Sequence, residues 1–353
     1  MTAMDAFERI YRKPPPYTAF TPYRVCPIGA HSDHQLGKIT GFAIDKGIHI
    51  AYGPKENGVI EIQSVQFEKR AQWHVQATPA VRENDWADHL RGATIALQKR
   101  YPLRRGLCAV LCGELPIGGL SSSAAVIISF LSALSAMNGI RLSPEELIEI
   151  SKEAENRYVG VSCGKLDQSC EVYCKKDHLL YMDLLDDSYE LIPRHPDMRP
   201  YRIAIFFSGL ERSLAGSAFN MRVDECRSAA YALKAYAGME YGKFEETNLR
   251  DVPYEVYLRY RDRLPESWRR RAEHWYTEFD RVQRGRFSGA GFKGCCMALI
   301  DPAYEKSIKE AVTREYLKTF PKLEGRYSVH ICESADGVHL HESDHTEARR
   351  ERI

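Results

Sequence analysis

A short stretch, CPIGAHSDH at residues 26–34, holds two histidines, an aspartate and a serine around a glycine. His31, Asp33 and His34 have side chains that can bind a metal ion. The same groups can exchange hydrogen bonds with the hydroxyls of a sugar. A proline and a glycine this close together are also typical of a crowded turn. The stretch by itself leaves a metal site, a sugar site and a structural turn open.

A second stretch, IGGLSSSAAVIISFLSALSAMNG, places two glycines and three serines before a long apolar segment that ends at Asn138-Gly139. The pattern predicts a helix that begins at the serines. The first N–H groups of a helix have no partner within it and carry the positive end of its dipole, so small residues there let an anion approach. A buried helix with a serine N-cap is the alternative that needs no ligand.

Two acidic residues further along the chain are candidates for chemistry. Ser143 and Glu146 form the pattern of a capping box, and the predicted helix runs to about Arg157 with Glu155 near its end. Asp167 follows in the glycine-interrupted loop VGVSCGKLDQ. A loop aspartate is more often a solvated cap than a catalytic group, so its role depends on its neighbours.

A third stretch, FSGAGFKG, has the spacing G-x-G-x-x-G at Gly289, Gly291 and Gly294. In a dinucleotide-binding fold this pattern follows a strand and opens a helix, whereas here the strand pattern GCCMALID comes after it. The chain has neither the sequence motifs of protein kinases nor a Walker A motif. We therefore expect a flexible glycine turn that can approach another group closely.

The composition narrows the class of protein. The 353 residues carry a formal net charge of +1, so nothing in the charge favours nucleic acid or an anionic membrane. No apolar run reaches the roughly 18 residues that span a bilayer, and the first residues lack the apolar core of a signal peptide. The ten cysteines have no disulfide-framework spacing. We expect a cytoplasmic protein with reduced thiols that binds neither nucleic acid nor a membrane.

The length and patterning predict two domains. A chain of this length is longer than a single hydrophobic core usually supports. We expect the proline- and charge-rich segment RHPDMRP to divide it near residue 198 into domains 1–198 and 199–353. The second domain is predicted to contain a long helix from about Ser213 to Tyr236 and the strands YRIAIFF, GCCMALID and RYSVHICE.

Three motifs follow one another in the chain: YRVCPIGAHSDH, LPIGGLSSSAA and FSGAGFKGCCMAL. In this order and at these separations they resemble the three signature motifs of the GHMP kinases, which include galactokinases, homoserine kinases and mevalonate kinases. The first motif and the segments 209–230 and 269–282 are similar to the galactokinase branch. The resemblance covers nearly the whole chain.

The resemblance implies a two-domain α+β fold, with a ribosomal protein S5 domain 2-like first domain, a ferredoxin-like second domain and the active site between them. It implies an ATP-dependent sugar-1-kinase that uses Mg²⁺, with ATP and a small sugar or sugar acid as its partners. By position, Arg24 and Asp167 would be the catalytic pair. Asp167 would take the proton of the anomeric hydroxyl or orient that hydroxyl, and Arg24 would stabilise the charges.

The resemblance also assigns the remaining site residues by position. The residues that would bind the sugar are Ala30, His31, Asp33, His34 and Phe219. Those that would bind ATP are Gly118, Gly119, Leu120, Ser121, Ser122, Ser123, Gly289, Ala290 and Gly291. Ser123 and Glu155 would hold the magnesium ion.

Four positions depart from the galactokinase pattern: Ala30 stands in place of a glutamate, Cys26 of an asparagine, His34 of a tyrosine and Lys293 of a glycine. A glutamate beside sugar C6 suits an alcohol but repels a carboxylate, by roughly 4 kcal/mol at about 4 Å and an effective dielectric near 20. Alanine removes this repulsion, while His34, Lys38 or Lys293 could supply a positive partner. Because CPIGAHSDHQ and YVGVSCGKLDQS look most like galacturonokinases, we expect D-galacturonate as the substrate.

Other functions stay open at this point. The nearest is a galactokinase that acts on D-galactose. Another is a catalytically silent, galactokinase-like sugar sensor that binds a regulatory protein, although the intact residues Ser121–Ser123, Glu155 and Asp167 argue against it. A metallohydrolase built on the first motif is a third possibility, but nothing else in the chain completes a metal shell.

Galactokinases carry a further helical segment at the place where only the residues QRG separate Val282 from Arg286 in this chain. The sequence leaves open whether that segment is truly deleted.

Overall fold

The computed structural model describes residues 1–210, 218–278 and 294–342, together with the backbone of 285–287. Most of the motif residues discussed above lie within these ranges. Three of the predicted ATP-binding residues, Gly289, Ala290 and Gly291, lie outside the described residues, as do Lys293 and the short connection after Val282.

None of the helices in these ranges combines the length and the apolar character that a membrane crossing requires.

The larger of two sheets is formed mainly by the first half of the chain. Its central path runs in the order β13-β1-β2-β5-β3-β4, with β6 and β12 also paired to β2, and β7 to β6. Neighbouring strands are antiparallel except β3 and β5, which are parallel. The strands are β1 (Tyr17–Val25), β2 (Lys38–Lys55), β3 (Val59–Ser64), β4 (Ala71–His74), β5 (Gly106–Gly113), β6 (His178–Asp183), β7 (Ser188–Pro193), β12 (Ser334–Ala335) and β13 (His339–Glu342).

Five α-helices accompany this sheet: α1 (Ala3–Tyr11), α2 (Asp88–Gln98), α3 (Ser122–Met137), α4 (Pro144–Glu153) and α5 (Leu166–Tyr173). Helix α3 is apolar around most of its circumference because it is buried between the sheet and the neighbouring helices. The buried hydroxyl of Ser129 donates a hydrogen bond of 2.8 Å to that of Thr21, which ties α3 to β1. Helix α3, which begins at Ser122, is thus tied to β1, the strand that carries Arg24.

Helix α4 begins as expected but ends differently. The capping box of Ser143 and Glu146 is present, with the two reciprocal hydrogen bonds at 2.9 and 3.2 Å. The α-helical hydrogen bonding stops at Glu153, before the predicted end near Arg157, and a π-helical turn follows at Ala154–Val159. Glu155 therefore lies on a π-turn.

The smaller sheet has the strand order β11-β8-β10-β9, with every neighbouring pair antiparallel. Its strands are β8 (Arg202–Phe207), β9 (Gly285–Phe287), β10 (Cys295–Ile300) and β11 (Ser328–Cys332), and its helices are α6 (Phe219–Tyr236), α7 (Tyr254–Tyr260), α8 (Glu266–Tyr276) and α9 (Glu305–Thr319). The order βαββαβ along the chain, with α7 and α8 inserted before β9, is the ferredoxin-like arrangement. The part of the predicted long helix before Phe219 lies outside the described residues.

The last strands of the chain return to the larger sheet. β12 pairs with β2, and β13 pairs with β1 from Tyr17 to Phe20. The strands of the larger sheet up to β7 and those of the smaller sheet lie on either side of residue 198, while β12 and β13 pair with strands of the larger sheet. The domain limits themselves stay a prediction.

Helix α5 buries a carboxyl group behind the larger sheet. Glu171 is fully buried, and neither of its carboxylate oxygens makes a hydrogen bond among the described residues. Burial, and next the charge of Asp167, raise its pKa well above the ordinary 4.5, while Arg24 and the nearby Ser121 hydroxyl offset little of this. Glu171 is therefore neutral in the folded protein at pH values where it is ionised in the unfolded chain.

This difference makes a prediction about stability. Between pH 4.5 and the raised pKa the unfolded chain has lost the proton and the folded one keeps it, so Glu171 destabilises the fold increasingly as the pH rises. Glu171→Gln should raise the melting temperature at pH 8 and change it little at pH 4.5, as measured by scanning fluorimetry. The exposed Glu190→Gln on β7 is the control. Equal effects of Glu171→Gln at both pH values would contradict the prediction.

Candidate active site

An ion pair joins the end of β1 to the start of α5. Nε and Nη2 of Arg24 donate to the same oxygen, Oδ1 of Asp167, at 2.8 and 2.6 Å. The Arg24 side chain is 3% exposed and that of Asp167 is 23% exposed. Oδ2 of Asp167 makes no hydrogen bond within the described part of the chain, so it remains accessible to a ligand. The structure thus brings together the two residues that the sequence predicted as a catalytic pair.

The same guanidinium holds the glycine-serine loop at the start of α3. Nη1 of Arg24 donates to the carbonyl of Gly119 at 3.1 Å. Gly118, Gly119 and Ser121 have φ values of 146°, 85° and 67°, in the left-handed region that favours glycine. The non-glycine member, Ser121, has a buried hydroxyl without a hydrogen-bond partner among the described residues. Such a strained residue with an unused hydroxyl is typical of a functional loop.

A cavity of about 430 Å³ opens in front of this loop. The predicted residues that line it are Arg24, Ala30, Asp33, Gly118, Gly119, Ser121, Ser122, Ser123, Glu155, Asp167 and Phe219. The start of α3 therefore faces open space rather than packed core. Leu120 is the exception in the loop, because its side chain is buried in the hydrophobic core and only its backbone belongs to the site.

The third motif reaches the loop at its last glycine. A Cβ placed on Gly294 would lie 3.1 Å from the backbone carbon of Gly118, and one on Gly118 would lie 3.2 Å from Cα of Gly294. Both residues also have positive φ. Two glycines are thus required where the backbone of the second domain approaches the loop of the first.

The carboxyl groups of Asp33 and Glu155 also line the cavity, and both have a raised pKa. Burial, followed by the negative charge of Asp167, raises the pKa of Asp33 to about 7. The same two causes raise the pKa of Glu155 to about 7, although hydrogen bonds from neighbouring side chains act in the opposite direction. Arg24 is the only lysine or arginine among the described residues that line the cavity. The empty site therefore carries more negative than positive groups.

The residues around Glu155 fit a hard divalent cation. Its carboxylate is buried, accepts hydrogen bonds from Nε2 of Gln168 at 2.7 Å and Sγ of Cys163 at 3.4 Å, and lies close enough to the Ser123 hydroxyl for that group to lower its pKa. The described residues contain no cluster of three or more His, Cys, Asp or Glu side chains that could hold a metal by themselves. Mg²⁺ needs no such cluster, because it is usually held by one or two protein oxygens together with phosphates and water.

The two histidines of the first motif do not line the cavity. The rings of His31 and His34 lie 6.4 and 5.8 Å from that of Phe219, which does line it. Burial lowers the pKa of His34 to about 3, so this side chain is neutral. Its predicted role as a positive partner is therefore wrong for the structure, although a neutral imidazole can still donate a hydrogen bond.

The proposed charge of Lys38 also lies elsewhere. Lys38 is the first residue of β2, is partly exposed, approaches Asp183 to 3.8 Å and lies over the ring of Tyr181. It is not among the residues that line the cavity. The charge of Lys38, which the sequence analysis offered as a partner for the sugar carboxylate, instead lies beside Asp183 and Tyr181 of β6.

The sequence did not predict the aromatic residues that line one end of the cavity. Its walls there include the stacked rings of Phe67 and Trp86, whose centroids are 5.8 Å apart with planes 3° from parallel, and the ring of His89. Nδ1 of His89 is buried without a hydrogen-bond partner in the described part of the chain. Phe67 follows β3 and Trp86 precedes α2, and nothing in the local sequence indicates that these two rings meet.

Two family models match the chain: "GHMP kinases N terminal domain" at residues 80–175 and "Galactokinase galactose-binding signature" at residues 5–54. A galacturonokinase of Arabidopsis thaliana is 31% identical, over 90% of this chain and 92% of its own length. A galactokinase of Roseiflexus sp. (strain RS-1) is 26% identical, over 95% of both.

Solved structures are similar over nearly the whole chain. The crystal structure of Lactococcus lactis galactokinase complexed with galactose has a TM-score of 0.84 at 21% identity, covering 95% of this chain and 98% of that one. Methanococcus jannaschii mevalonate kinase has a TM-score of 0.59 at 15% identity, covering 90% and 98%. These likenesses confirm the predicted two-domain α+β fold class. With the sequence identity to the plant enzyme across nine-tenths of its length, they mean that the chain belongs to the GHMP kinases, in their galactokinase branch.

Proposed function

We propose that the protein is an ATP-dependent sugar kinase that phosphorylates the anomeric hydroxyl of D-galacturonate to give galacturonate 1-phosphate. The observation that carries this proposal is the position of Ala30. It lies on the wall of the cavity that also contains the Arg24–Asp167 pair, and it is only 6% exposed. A small apolar side chain therefore occupies the place where galactokinases carry a carboxylate.

The start of α3 is suited to the phosphates of ATP. Its free N–H groups and helix dipole favour negative charge, and Gly118 and Gly119 allow close approach of a phosphate to the backbone. The unpartnered hydroxyl of Ser121 can donate to a phosphate oxygen. When Mg²⁺ is bound, it neutralises phosphate charge, and Ser123 and Glu155 are the residues that would hold it.

The Arg24–Asp167 pair is suited to activate the sugar hydroxyl. Both Arg24 nitrogens use Oδ1 of Asp167, so Oδ2 can accept the proton of the anomeric hydroxyl or orient that hydroxyl toward the phosphate. Arg24 offsets the negative charge of the aspartate and that of the transferring phosphoryl group. Phosphoryl transfer depends mostly on such positioning and electrostatic stabilisation.

The charges at the other end of the site support a uronic acid. Ala30 removes an anion, and Asp33 has its pKa raised to about 7, so it is partly protonated at neutral pH. A protonated carboxyl does not repel a uronate and can donate a hydrogen bond to it. A positive charge nearby is that of Arg227 on α6, which contributes to the lowered pKa of His34, although Nη1 of Arg227 also lies 3.8 Å from the carboxylate of Asp224.

A substitution at Asp167 tests the catalytic role of the Arg24–Asp167 pair. Asp167→Asn should lower kcat by at least about a thousandfold, because the amide cannot accept the hydroxyl proton, while ATP and sugar affinities change by only a few-fold. A coupled assay of ADP release on a panel of sugars and calorimetric binding would measure the two effects. Asp197→Asn, at a side chain that is 94% exposed, is the control. Near-normal turnover in Asp167→Asn would remove this residue from the mechanism, and a wild type that binds sugar without turnover would indicate the silent sensor.

A substitution at Ala30 tests the choice of substrate. Ala30→Glu should reverse a preference for galacturonate over galactose, because the new carboxylate repels the uronate by up to roughly 4 kcal/mol, close to a thousandfold, before solvent screening. Ala30→Gln adds nearly the same volume without charge and should change the ratio of kcat/KM values far less. Equal effects of the two substitutions would mean that volume, not charge, decides. A wild type that prefers galactose would refute the uronate assignment.

A further inference from the structure

The π-turn that carries Glu155 is completed by side chains from outside the helix. Its backbone closes on itself where the carbonyl of Glu155 accepts from the N–H groups of Gly160 at 2.8 Å and Val161 at 3.1 Å. Gly160 has a φ of 83°, which ends the turn in the left-handed region. π-turns are rare and occur frequently at functional sites. The carbonyls at the end of this turn still need donors.

Two side chains supply those donors. Nη1 of Arg82 donates to the carbonyl of Val159 at 2.7 Å, and Nδ2 of Asn220 donates to the carbonyl of Gly160 at 2.7 Å. The amide of Asn220 is used twice, because its Oδ1 accepts from the N–H of Ser162 at 2.9 Å. Arg82 comes from the first domain, whereas Asn220 lies on α6 of the second.

Apolar contacts hold α6 in the same place. Val159, Val161, Phe219 and Val223 form one buried cluster, with the partly buried Cys163 against it. Phe219 precedes Asn220 in the helix and lines the cavity. The first turn of α6 is thus fixed against the segment that runs from Glu155 to Cys163, whose thiol donates to the Glu155 carboxylate.

We propose that Asn220 is a positioning residue that holds the Glu155 π-turn in place for the divalent cation, so that the second domain helps to build a metal site whose own ligands come from the first. The argument rests on the proposed function in one respect, the assignment of Glu155 to the cation. The hydrogen bonds run from Asn220 to Gly160 and from Gly160 to Glu155. Loss of the Asn220 amide leaves the Gly160 carbonyl and the Ser162 N–H unpaired and frees the end of the turn.

The test compares two leucine substitutions at neighbouring positions. Asn220→Leu keeps the number and branching of the side-chain heavy atoms, removes both hydrogen bonds and adds no charge. Met221→Leu places the same side chain one residue further on, where Met221 is 51% exposed. Binding of Mn²⁺ in the presence of a non-hydrolysable ATP analogue, followed by the electron paramagnetic resonance of free Mn²⁺, reports the metal site without turnover.

Asn220→Leu should weaken Mn²⁺ binding by about tenfold, the size of effect found when a residue that orients a metal ligand is lost, whereas Met221→Leu should stay within about twofold. In the kinase assay the Mg²⁺ concentration for half-maximal rate should rise in Asn220→Leu, and saturating Mg²⁺ should restore most of kcat. Asn220→Ala gives the same comparison if the leucine variant does not fold.

Unchanged Mn²⁺ affinity in folded Asn220→Leu would overturn the proposal. A loss of kcat that excess Mg²⁺ does not restore would likewise overturn it, because it would indicate that Asn220 acts on the sugar or on domain packing. Failure of the proposed function is a separate result, since a wild type that binds Mn²⁺ and nucleotide normally but phosphorylates no sugar leaves the role of Asn220 in the metal site intact. Absence of Mn²⁺ binding in the wild type would refute both.

Discussion

The buried guanidinium of Arg24 holds the active site together. It donates twice to Asp167 and once to the carbonyl of Gly119, and the Arg24 N–H lies 3.4 Å from the carbonyl of Leu120. One side chain therefore sets the distance between the aspartate on α5 and the loop before α3. A buried charge of this kind is tolerated only when it is paired and hydrogen-bonded. A shift of the loop would therefore disturb Asp167 as well, and under the proposed function this would link the binding of phosphates to the activation of the hydroxyl.

The raised pKa values of the cavity carboxyl groups follow from the small number of positively charged side chains in the site. Asp33, Glu155 and Asp167 line the described part of the cavity with Arg24 as their sole guanidinium or ammonium neighbour. The raised pKa values of Asp33 and Glu155, both about 7, express the cost of keeping these charges out of water and close to Asp167. Such a site does not favour a bare polyphosphate. It favours one that arrives with a divalent cation, whose charge offsets Glu155 and the phosphates together.

Local sequence patterns were sufficient to predict those parts of the site that depend on neighbouring residues. The capping box of Ser143 and the start of α3 at Ser122 depend on residues within one turn of each helix, so their neighbours in sequence are enough to predict them. The π-turn at Glu155 was missed because its carbonyls are satisfied by Arg82 and Asn220, which are far away in sequence.

The same distinction explains which features the sequence did not predict. The neutrality of His34 is a consequence of burial, which the sequence does not report. The stacking of Phe67 on Trp86 depends on how two loops, one after β3 and one before α2, are brought together. The return of β13 to β1 is a pairing across almost the whole chain, and no local signal marks it.

The choice between a sugar and a uronic acid depends on what the cavity lacks as much as on what it contains. Under the proposed function, the absence of a carboxylate at Ala30 makes a uronate acceptable, but it does not by itself penalise a neutral sugar. A preference requires groups that interact better with the carboxylate than with an alcohol. Neither His34 nor Arg227 lines the described part of the cavity, and Arg227 lies 3.8 Å from Asp224. The positive charge of Arg227 therefore acts on the cavity only from a distance, so discrimination should come mainly from tolerance of the anion, with a smaller contribution from attraction.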